Sequence, residues 1–201
     1  MLKDVANFEK YTQSGKIGDC LIKNFYNSCF ALLETIQKNI ENVFEVGSGE
    51  GISTQHLHLF LGSEVVYEAS EFRENRIAMI KKRNPLVNVS QETIYSLSKE
   101  SKSIDLVICL EVLEHLEDPQ KALKELSRIT KKYVLISTPR EPLWSWLNIC
   151  RGKYVSGLGN TPSHIQRWSS RGLVEEVDPW FELSAMRKPL PWTILLLKPK
   201  V

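Results

Sequence analysis

The sequence predicts an α/β fold in which a mostly parallel seven-stranded sheet carries helices on both faces and ends in an antiparallel hairpin. Three observations support this prediction. Strand-like apolar runs alternate with amphipathic helical segments between residues 43 and 137, and such alternation produces parallel strands joined by helices. The run Leu106-Val107-Ile108-Cys109-Leu110 contains no charged residue, as is typical of a central strand buried on both faces. Near the C-terminus, a short proline-containing connector separates two further runs, which favours a hairpin.

The predicted elements follow in a simple order. Apolar residues recur with helical spacing from Ile17 to Ile40, which predicts an N-terminal helix that packs on the sheet or covers a ligand. The alternating core comprises strand Val43–Val46, helix Ser53–Leu61, strand Val65–Glu68, helix Glu74–Arg83, strand Val87–Val89, strand Asp105–Leu110, helix Gln120–Thr130 and strand Tyr133–Ser137. A long irregular segment then leads to helix Ser169–Val177 and to strands Trp180–Met186 and Trp192–Leu197.

Length and composition favour a single globular domain. The chain has 201 residues, of which 42% are hydrophobic and 25% charged, as in ordinary globular proteins. We divide it into an N-terminal helical segment (1–40), a cofactor-binding core (41–138), a substrate-side loop (139–168) and a C-terminal helix and hairpin (169–201). A net charge of +2 is too small to indicate a nucleic-acid partner.

The cysteines and the apolar runs favour a cytoplasmic protein. The four cysteines lack C-x-x-C pairing, so neither a zinc site nor a disulfide framework is indicated. Residues 1–10 carry both charge signs and have no apolar run of signal-peptide length. No segment has the long apolar run that a membrane span requires. The pattern leaves the oligomeric state open.

The most informative functional pattern is the glycine-rich sequence Val43-Phe44-Glu45-Val46-Gly47-Ser48-Gly49-Glu50-Gly51, at a predicted junction between strand and helix. Glycines permit backbone angles and close approaches that other residues resist, and the N–H groups of the following helix point outward there. Such turns serve dinucleotides, phosphates, S-adenosylmethionine or no ligand. Glu45 and the G-x-G-x-G spacing argue against the dinucleotide form, which is G-x-G-x-x-G.

Polar residues follow the other predicted strands, at the sheet edge where α/β proteins bind ligands. Glu71 could accept hydrogen bonds from both hydroxyls of a ribose, and Glu68 is the alternative. Either could instead be a solvated glutamate at a helix N-terminus. Glu92 could accept a bond from an adenine amino group while Ile94 covers the ring. The segment that begins with Glu111 follows the buried strand directly.

These segments together resemble a known family. Residues 44–51 resemble motif I of the class I S-adenosylmethionine-dependent methyltransferases, although that motif usually has aspartate or cysteine where Glu50 stands. Residues 104–116 and Ser137-Thr138-Pro139 are similar to the branch that contains the ubiquinone-biosynthesis O-methyltransferases and the type 11 and type 23 methyltransferases. The resemblance covers about residues 40–140. It implies a Rossmann-like class I methyltransferase fold, with S-adenosylmethionine as the methyl donor and S-adenosylhomocysteine as the product.

The resemblance also implies which residues contact the cofactor. The methionine moiety would lie beside Glu45, Gly47, Gly49 and Gly51, the ribose beside Glu71, the adenine beside Glu92, Thr93 and Ile94, and the other side of the cofactor beside Leu110 and Glu111.

Two histidines are the candidate catalytic residues. His115 or His164 could act as a general base if the acceptor is a hydroxyl, and either could instead satisfy buried partners. Glu111, Glu114 and His115, followed later by His164, also resemble the E-x-x-E-H arrangement with which some relatives, small-RNA 2′-O-methyltransferases among them, hold a divalent metal. A metal is therefore possible, but we favour a metal-free site.

We predict methyl transfer to a small-molecule acceptor, at oxygen rather than at carbon or nitrogen. Two alternatives stay open. The metal-like spacing suggests an RNA 2′-O-methyltransferase, against which the near-neutral charge counts. The cofactor pocket could also belong to a non-catalytic S-adenosylmethionine-binding subunit. Long loops on a rigid α/β frame usually recognise the substrate, so we expect this role of residues 139–168, which include Trp144 and Trp146. Trp192 is expected in the core.

Overall fold

The structure, a computed structural model, describes residues 15–200 and contains one seven-stranded sheet in the order β3-β2-β1-β4-β5-β7-β6. The strands are β1 Asn42–Val46, β2 Val66–Glu71, β3 Asn88–Gln91, β4 Ile104–Leu110, β5 Thr130–Pro139, β6 Phe181–Arg187 and β7 Trp192–Pro199. The helices are α1 Gly15–Leu33, α2 Ile52–Leu61, α3 Glu74–Arg83, α4 Pro119–Ile129, α5 Leu143–Cys150 and α6 Ser170–Val177, with short 3₁₀ segments at Gln37–Asn39, Leu113–His115 and Val155–Gly157.

The strand order reverses between β1 and β4, which lie side by side in the middle of the sheet. Both pair in parallel, with Val43 opposite Leu106 and Glu45 opposite Ile108. Chain connections leave this point in opposite directions, so the loops after β1 and β4 diverge and leave a crevice at the carboxyl edge. This edge holds both the glycine turn and the segment that begins with Glu111.

Each face of the sheet has its own apolar layer. Helices α1, α2 and α3 cover one face, where Phe25, Leu57 and Ile80 are buried. Helices α4 and α6 cover the other face with Leu123 and Leu173. All seven residues of β4 are buried, because this central strand has a helical layer on both sides. The predicted α/β fold with a C-terminal antiparallel hairpin is confirmed.

Several predicted boundaries differ from the structure. The N-terminal helix ends at Leu33 and does not continue to Ile40. After Leu33 the amides of Thr35 and Ile36 donate to carbonyls three residues back instead of four, which tightens the chain out of the α-helix. Strand β2 continues to Glu71, so Glu71 is the last residue of the strand and Glu68 lies in its middle. The segment 1–10, considered above, lies outside the described residues. Among residues 15–200, no helix combines the length and apolarity that a membrane crossing requires.

The segment after β5 is not wholly irregular, as the sequence analysis expected, because it contains α5. The Glu141 carboxylate accepts bonds from the Ser145 amide (3.1 Å) and hydroxyl (2.8 Å) in the first turn of this helix. Trp144 and Leu147 are half-buried, whereas Trp146 and Ile149 are exposed. The helix is therefore amphipathic, with its inner side against the rest of the protein.

The central strand should dominate stability. Ile108 is fully buried between β1 and β5, and we expect Ile108→Ala to lower the free energy of unfolding by about 2–5 kcal/mol, because it leaves a cavity. Leu86 is exposed, so Leu86→Ala is the control and should change that free energy by less than about 0.5 kcal/mol. Urea denaturation measures both, and equal losses would contradict the assigned core.

Candidate functional site

The glycine turn after β1 depends on three left-handed residues. Gly47, Gly49 and Gly51 have φ angles of 75°, 58° and 75°, which side chains disfavour. The amides of Gly47 and Ser48 both donate to the Ser70 carbonyl at the end of β2, over 2.9 and 3.0 Å. The turn is thus fixed to the neighbouring strand.

Close packing on two sides of the turn also requires glycine. A Cβ at Gly47 would lie 2.6 Å from Cγ2 of Val112, and one at Gly51 would lie 2.6 Å from Nδ2 of Asn84. At Gly49 the nearest atom to such a Cβ is 3.9 Å away. Gly47 and Gly51 therefore fit against the protein itself, whereas the space beside Gly49 is more open.

Glu71 lies directly against this turn. Its Oε2 accepts from the Gly49 amide (2.8 Å) and its Oε1 from the Arg73 amide (2.9 Å). A carboxylate has about four acceptor positions, so Glu71 can also accept from a ligand hydroxyl. The alternative, Glu68, lies in the middle of β2, and its carboxylate forms an ion pair with Lys99 (2.6 Å). Glu71 is therefore the better candidate for the ribose.

Glu45 lies on the inner side of the turn. Its carboxylate is buried and accepts from the Ser53 hydroxyl at the start of α2 and from the Tyr67 hydroxyl of β2 (2.9 Å). Burial raises the pKa of Glu45, and these hydrogen bonds offset part of that effect. Because its bonds join β1, β2 and α2, we propose that Glu45 supports the methionine side of the turn from within.

The predicted adenine segment lies beside Glu71, since the Glu92 amide donates to the Glu71 carbonyl (3.3 Å). Burial raises the pKa of Glu92, but hydrogen bonds from Ser90 and Ser98 and the charge of Lys99 outweigh it, so the pKa is lowered overall. The other two predicted residues of this segment are Thr93, which pairs with Ser96, and Ile94, which is buried in the core.

Glu111 follows Leu110 at the carboxyl end of β4 with a left-handed φ of 57°. This conformation is uncommon outside glycine and recurs at functional sites. Its carboxylate accepts from the Ser137 hydroxyl and from Nε1 of Trp192, both over 2.8 Å. Glu111 therefore connects β4 to β5 and β7.

A second cluster brings the candidate catalytic residues together. One ligand atom from each of Glu114, His115 and His164 lies within 4.8 Å of the others, and the two imidazole rings meet edge to face at 5.0 Å. The Glu114 carbonyl accepts from the Ile165 amide (2.8 Å), which holds the distant His164 segment in place. A mixed oxygen and nitrogen set of this kind could bind a divalent cation, and Glu111 does not belong to it.

The proton of His115 can be assigned from its hydrogen bond. Nδ1 lies 2.8 Å from the Ser163 carbonyl, and a carbonyl only accepts, so Nδ1 carries the hydrogen. In the neutral ring the lone pair is then on Nε2. That atom is the one with which His115 could take a proton from a substrate or bind a cation.

Aromatic rings extend this cluster to the C-terminal hairpin. Trp144 of α5 stacks on His164 at 5.8 Å and lies 6.1 Å from Trp192, which in turn meets Phe25 of α1 at 5.0 Å. Trp192 is half-buried and packs against the core cluster that contains Phe25, as expected, and its other neighbour is Trp144. Strand β7 runs antiparallel to β5 and pairs Trp192 with Pro139, so its first residue lies at the carboxyl edge.

Comparisons with known proteins find similarity to methyltransferases. A family model described as a methyltransferase domain matches residues 44–136. A probable S-adenosylmethionine-dependent methyltransferase of Mycobacterium tuberculosis is 29% identical over 52% of this chain and 38% of its own length. A ubiquinone biosynthesis O-methyltransferase of Rickettsia bellii is 29% identical over 74% of this chain and 58% of its own length. The chain thus spans less than two thirds of these curated relatives.

A solved structure shares the fold over nearly the whole chain. Magnesium protoporphyrin IX methyltransferase from Synechocystis, solved with bound S-adenosylhomocysteine, superposes with a TM-score of 0.70 and covers 98% of this chain and 95% of its own. Its sequence is 15% identical, so this likeness concerns the fold alone.

Gly47→Ala should abolish or strongly weaken binding of S-adenosylhomocysteine, since the added Cβ meets Val112 and strains the turn. Gly62→Ala is the matched control, because Gly62 also has a positive φ of 90° but nothing within 4 Å of its Cβ position. Titration calorimetry measures both, together with Gly47→Ala/Val112→Ala, in which the contact with Val112 is relieved. Full affinity in Gly47→Ala would contradict the assigned turn.

The pH dependence of the free energy of unfolding should reveal the raised pKa of Glu45. The pKa of Glu45 in the folded state lies above the ordinary value of 4.5. Protonated Glu45 therefore stabilises the folded state fully at a pH below 4.5, and this contribution is lost as the pH rises through the folded pKa. Glu45→Gln cannot ionise and should lose less stability than the wild type over that interval. Urea denaturation at a series of pH values measures this.

Glu92→Gln is the control of opposite sign. The folded pKa of Glu92 is lowered, so its contribution is present above the ordinary value and lost on acidification. A Glu45→Gln profile parallel to that of the wild type would refute the assignment for Glu45.

Proposed function

We propose that this chain is a class I S-adenosylmethionine-dependent methyltransferase, and that it transfers the methyl group of its cofactor to an oxygen atom of a small molecule. The methyltransferase-domain match and the named relatives support the family. One observation carries the choice of oxygen. The hydrogen bond to Ser163 fixes the His115 tautomer that has its lone pair on Nε2, and an oxygen acceptor must lose a proton as it is methylated.

The glycine turn and Glu71 form the cofactor half of the site. We assign the methionine moiety to the open side of the turn near Gly49, and the ribose hydroxyls to the remaining acceptor positions of Glu71. Glu92 extends this half toward the adenine. Residues 41–138 are thus the proposed cofactor-binding core.

The reaction needs little covalent help from the protein. The acceptor oxygen attacks the sulfonium methyl carbon in line, the carbon–sulfur bond breaks with its electrons going to sulfur, and S-adenosylhomocysteine leaves as a neutral thioether. The hydroxyl proton passes to Nε2 of His115. His164, which meets His115 edge to face, positions that ring. Alignment of the reactants supplies much of the rate, and proton removal adds about 10²–10⁴-fold.

The acceptor half is aromatic, which favours a planar apolar substrate. Trp144 stacks on His164 and is in contact with Trp192 on its other side, and such rings stack well on a phenol or another flat ring. The O-methyltransferase name of the Rickettsia bellii relative also supports oxygen. Residues 139–168, which contribute Trp144 and His164, are the proposed substrate segment.

A metal-dependent RNA 2′-O-methyltransferase is the second candidate, because Glu114, His115 and His164 do converge. Two observations count against it. Glu111, the first residue of the spacing, bonds instead to Ser137 and Trp192, and the net charge is only +2. A non-catalytic cofactor-binding subunit would not need the histidine pair. We also propose a cytoplasmic location, which the four free cysteines support.

His115→Ala should lower kcat by about 10²-fold or more while leaving the affinity for S-adenosylhomocysteine within about twofold, since the base acts only on the acceptor. Formation of S-adenosylhomocysteine from S-adenosylmethionine, with a panel of phenols, sugars and RNA as acceptors, measures turnover. His56→Ala, on α2 and outside the cluster, is the control. An equal loss of turnover and cofactor affinity in His115→Ala would contradict its role as the base.

Chelation separates the metal-free from the metal-dependent mechanism. With EDTA present we expect full turnover on a phenol, because the proposed base is an imidazole. Activity that disappears and returns with Mg²⁺ or Mn²⁺ would favour the cation site instead. Tight cofactor binding without turnover on any acceptor would favour the non-catalytic subunit.

A further inference from the structure

Four large apolar side chains are exposed on α5 and the turn that follows it. We call this surface the α5 patch, and its members are Trp146, Ile149, Val155 and Leu158, all exposed by between 41% and 77%. None of them takes part in the site described above. Exposed apolar groups that cluster in this way mark an interaction surface.

Hydrogen bonds hold the patch together as one lobe. The amide of Lys153 donates to the Asn148 carbonyl (2.8 Å), and Nδ2 of Asn148 donates to the Gly159 carbonyl (2.9 Å). Gly159 lies so close to α5 that a Cβ would be 3.0 Å from Cγ1 of Ile149. The turn therefore folds back against α5, where Gly159, the residue after Leu158, lies beside Ile149.

Leu158 shows the least expected conformation of the four. It is 77% exposed and has a left-handed φ of 50°. This backbone conformation is costly for a bulky side chain, and burial does not repay the cost. The lobe thus holds a leucine outward into solvent at the expense of local strain.

The segment that forms the patch carries cationic side chains and no anionic ones. Residues 143–168 contain no aspartate or glutamate, although the whole chain has 24 of them. The same stretch contains Arg151, Lys153 and Arg167, all exposed. An apolar surface with cations beside it complements a layer that is apolar inside and anionic at its surface.

We propose that the α5 patch docks on an anionic lipid bilayer. Tryptophan and aliphatic side chains on one side of a short helix enter the boundary between headgroups and acyl chains, and neighbouring cations pair with anionic headgroups. The indole of Trp146 suits that boundary, since one end of the ring is apolar and the other polar. This is peripheral binding in the plane of the membrane.

The geometry places the acceptor side of the site near the docked membrane. Trp146 and Trp144 lie two residues apart on α5, and Trp144 stacks on His164. Docking itself does not depend on methyl transfer. A protein held in this way would have its aromatic acceptor half beside the lipid surface, where an amphiphilic acceptor would be concentrated.

Co-sedimentation with vesicles tests the proposal. We expect the protein to bind vesicles of phosphatidylcholine and phosphatidylglycerol (7:3), to bind phosphatidylcholine vesicles at least tenfold more weakly, and to dissociate from the former at high salt. Leu158→Asn should weaken binding about fivefold or more, and asparagine tolerates the left-handed backbone. Leu59→Gln is the matched control, because Leu59 is equally exposed at 77% on α2.

Charge reversal distinguishes docking through the α5 patch from attraction of the whole protein to an anionic membrane. Arg151→Glu/Lys153→Glu should weaken binding tenfold or more, since each cation near an anionic surface contributes about fivefold. Lys81→Glu/Lys82→Glu makes the same change in net charge at the exposed end of α3 and should have a much smaller effect. Equal effects of the two pairs would overturn the proposal.

Two further results would overturn it. The first is the absence of binding to anionic vesicles. The second is self-association in sedimentation velocity that Leu158→Asn abolishes, because the patch would then be an interface between copies of this chain. The affinity for S-adenosylhomocysteine should be unchanged in Leu158→Asn, so the outcome of this test is independent of the proposed reaction.

Discussion

The architecture of the site depends on the fixing of the glycine turn to the end of β2. The Ser70 carbonyl and the Glu71 carboxylate together accept bonds from three successive amides, those of Gly47, Ser48 and Gly49. The left-handed turn is costly for any other residue type, so both its sequence and its partners are restricted. Once the turn is fixed, α2 begins at a set position and the crevice above β1 and β4 has a defined floor.

The proposed acceptor side is built differently, from residues that are distant in sequence. The Glu114 carbonyl holds the segment of His164, Glu111 bonds Trp192, and Trp144 lies between Trp192 and His164. Loops and helix termini supply this half, whereas the cofactor half lies on strand ends. Loops vary among proteins of one fold while the strands stay fixed. The substrate of this chain must therefore be inferred from the acceptor half.

The sequence alone predicts the frame well, because its signals are local. Helical spacing, the apolar run of β4 and the three glycines each depend on neighbouring residues, and the structure has the predicted α/β sheet. The contact between Trp192 and Trp144 was not predicted, because it depends on antiparallel pairing of β7 with β5, which joins residues more than fifty positions apart. The Trp144–His164 contact likewise needs the tertiary fold. The spacing of the glycine motif also does not predict the two hydrogen bonds that the Glu45 carboxylate accepts from Ser53 and Tyr67.

The most direct test of this account is a crystal structure with S-adenosylhomocysteine bound. We expect the ribose hydroxyls to lie within about 2.6–3.2 Å of the Glu71 carboxylate and the sulfur to face His115 and His164 across the crevice. A ligand that occupies the turn with its ribose away from Glu71, or with its sulfur away from the histidine pair, would contradict the account.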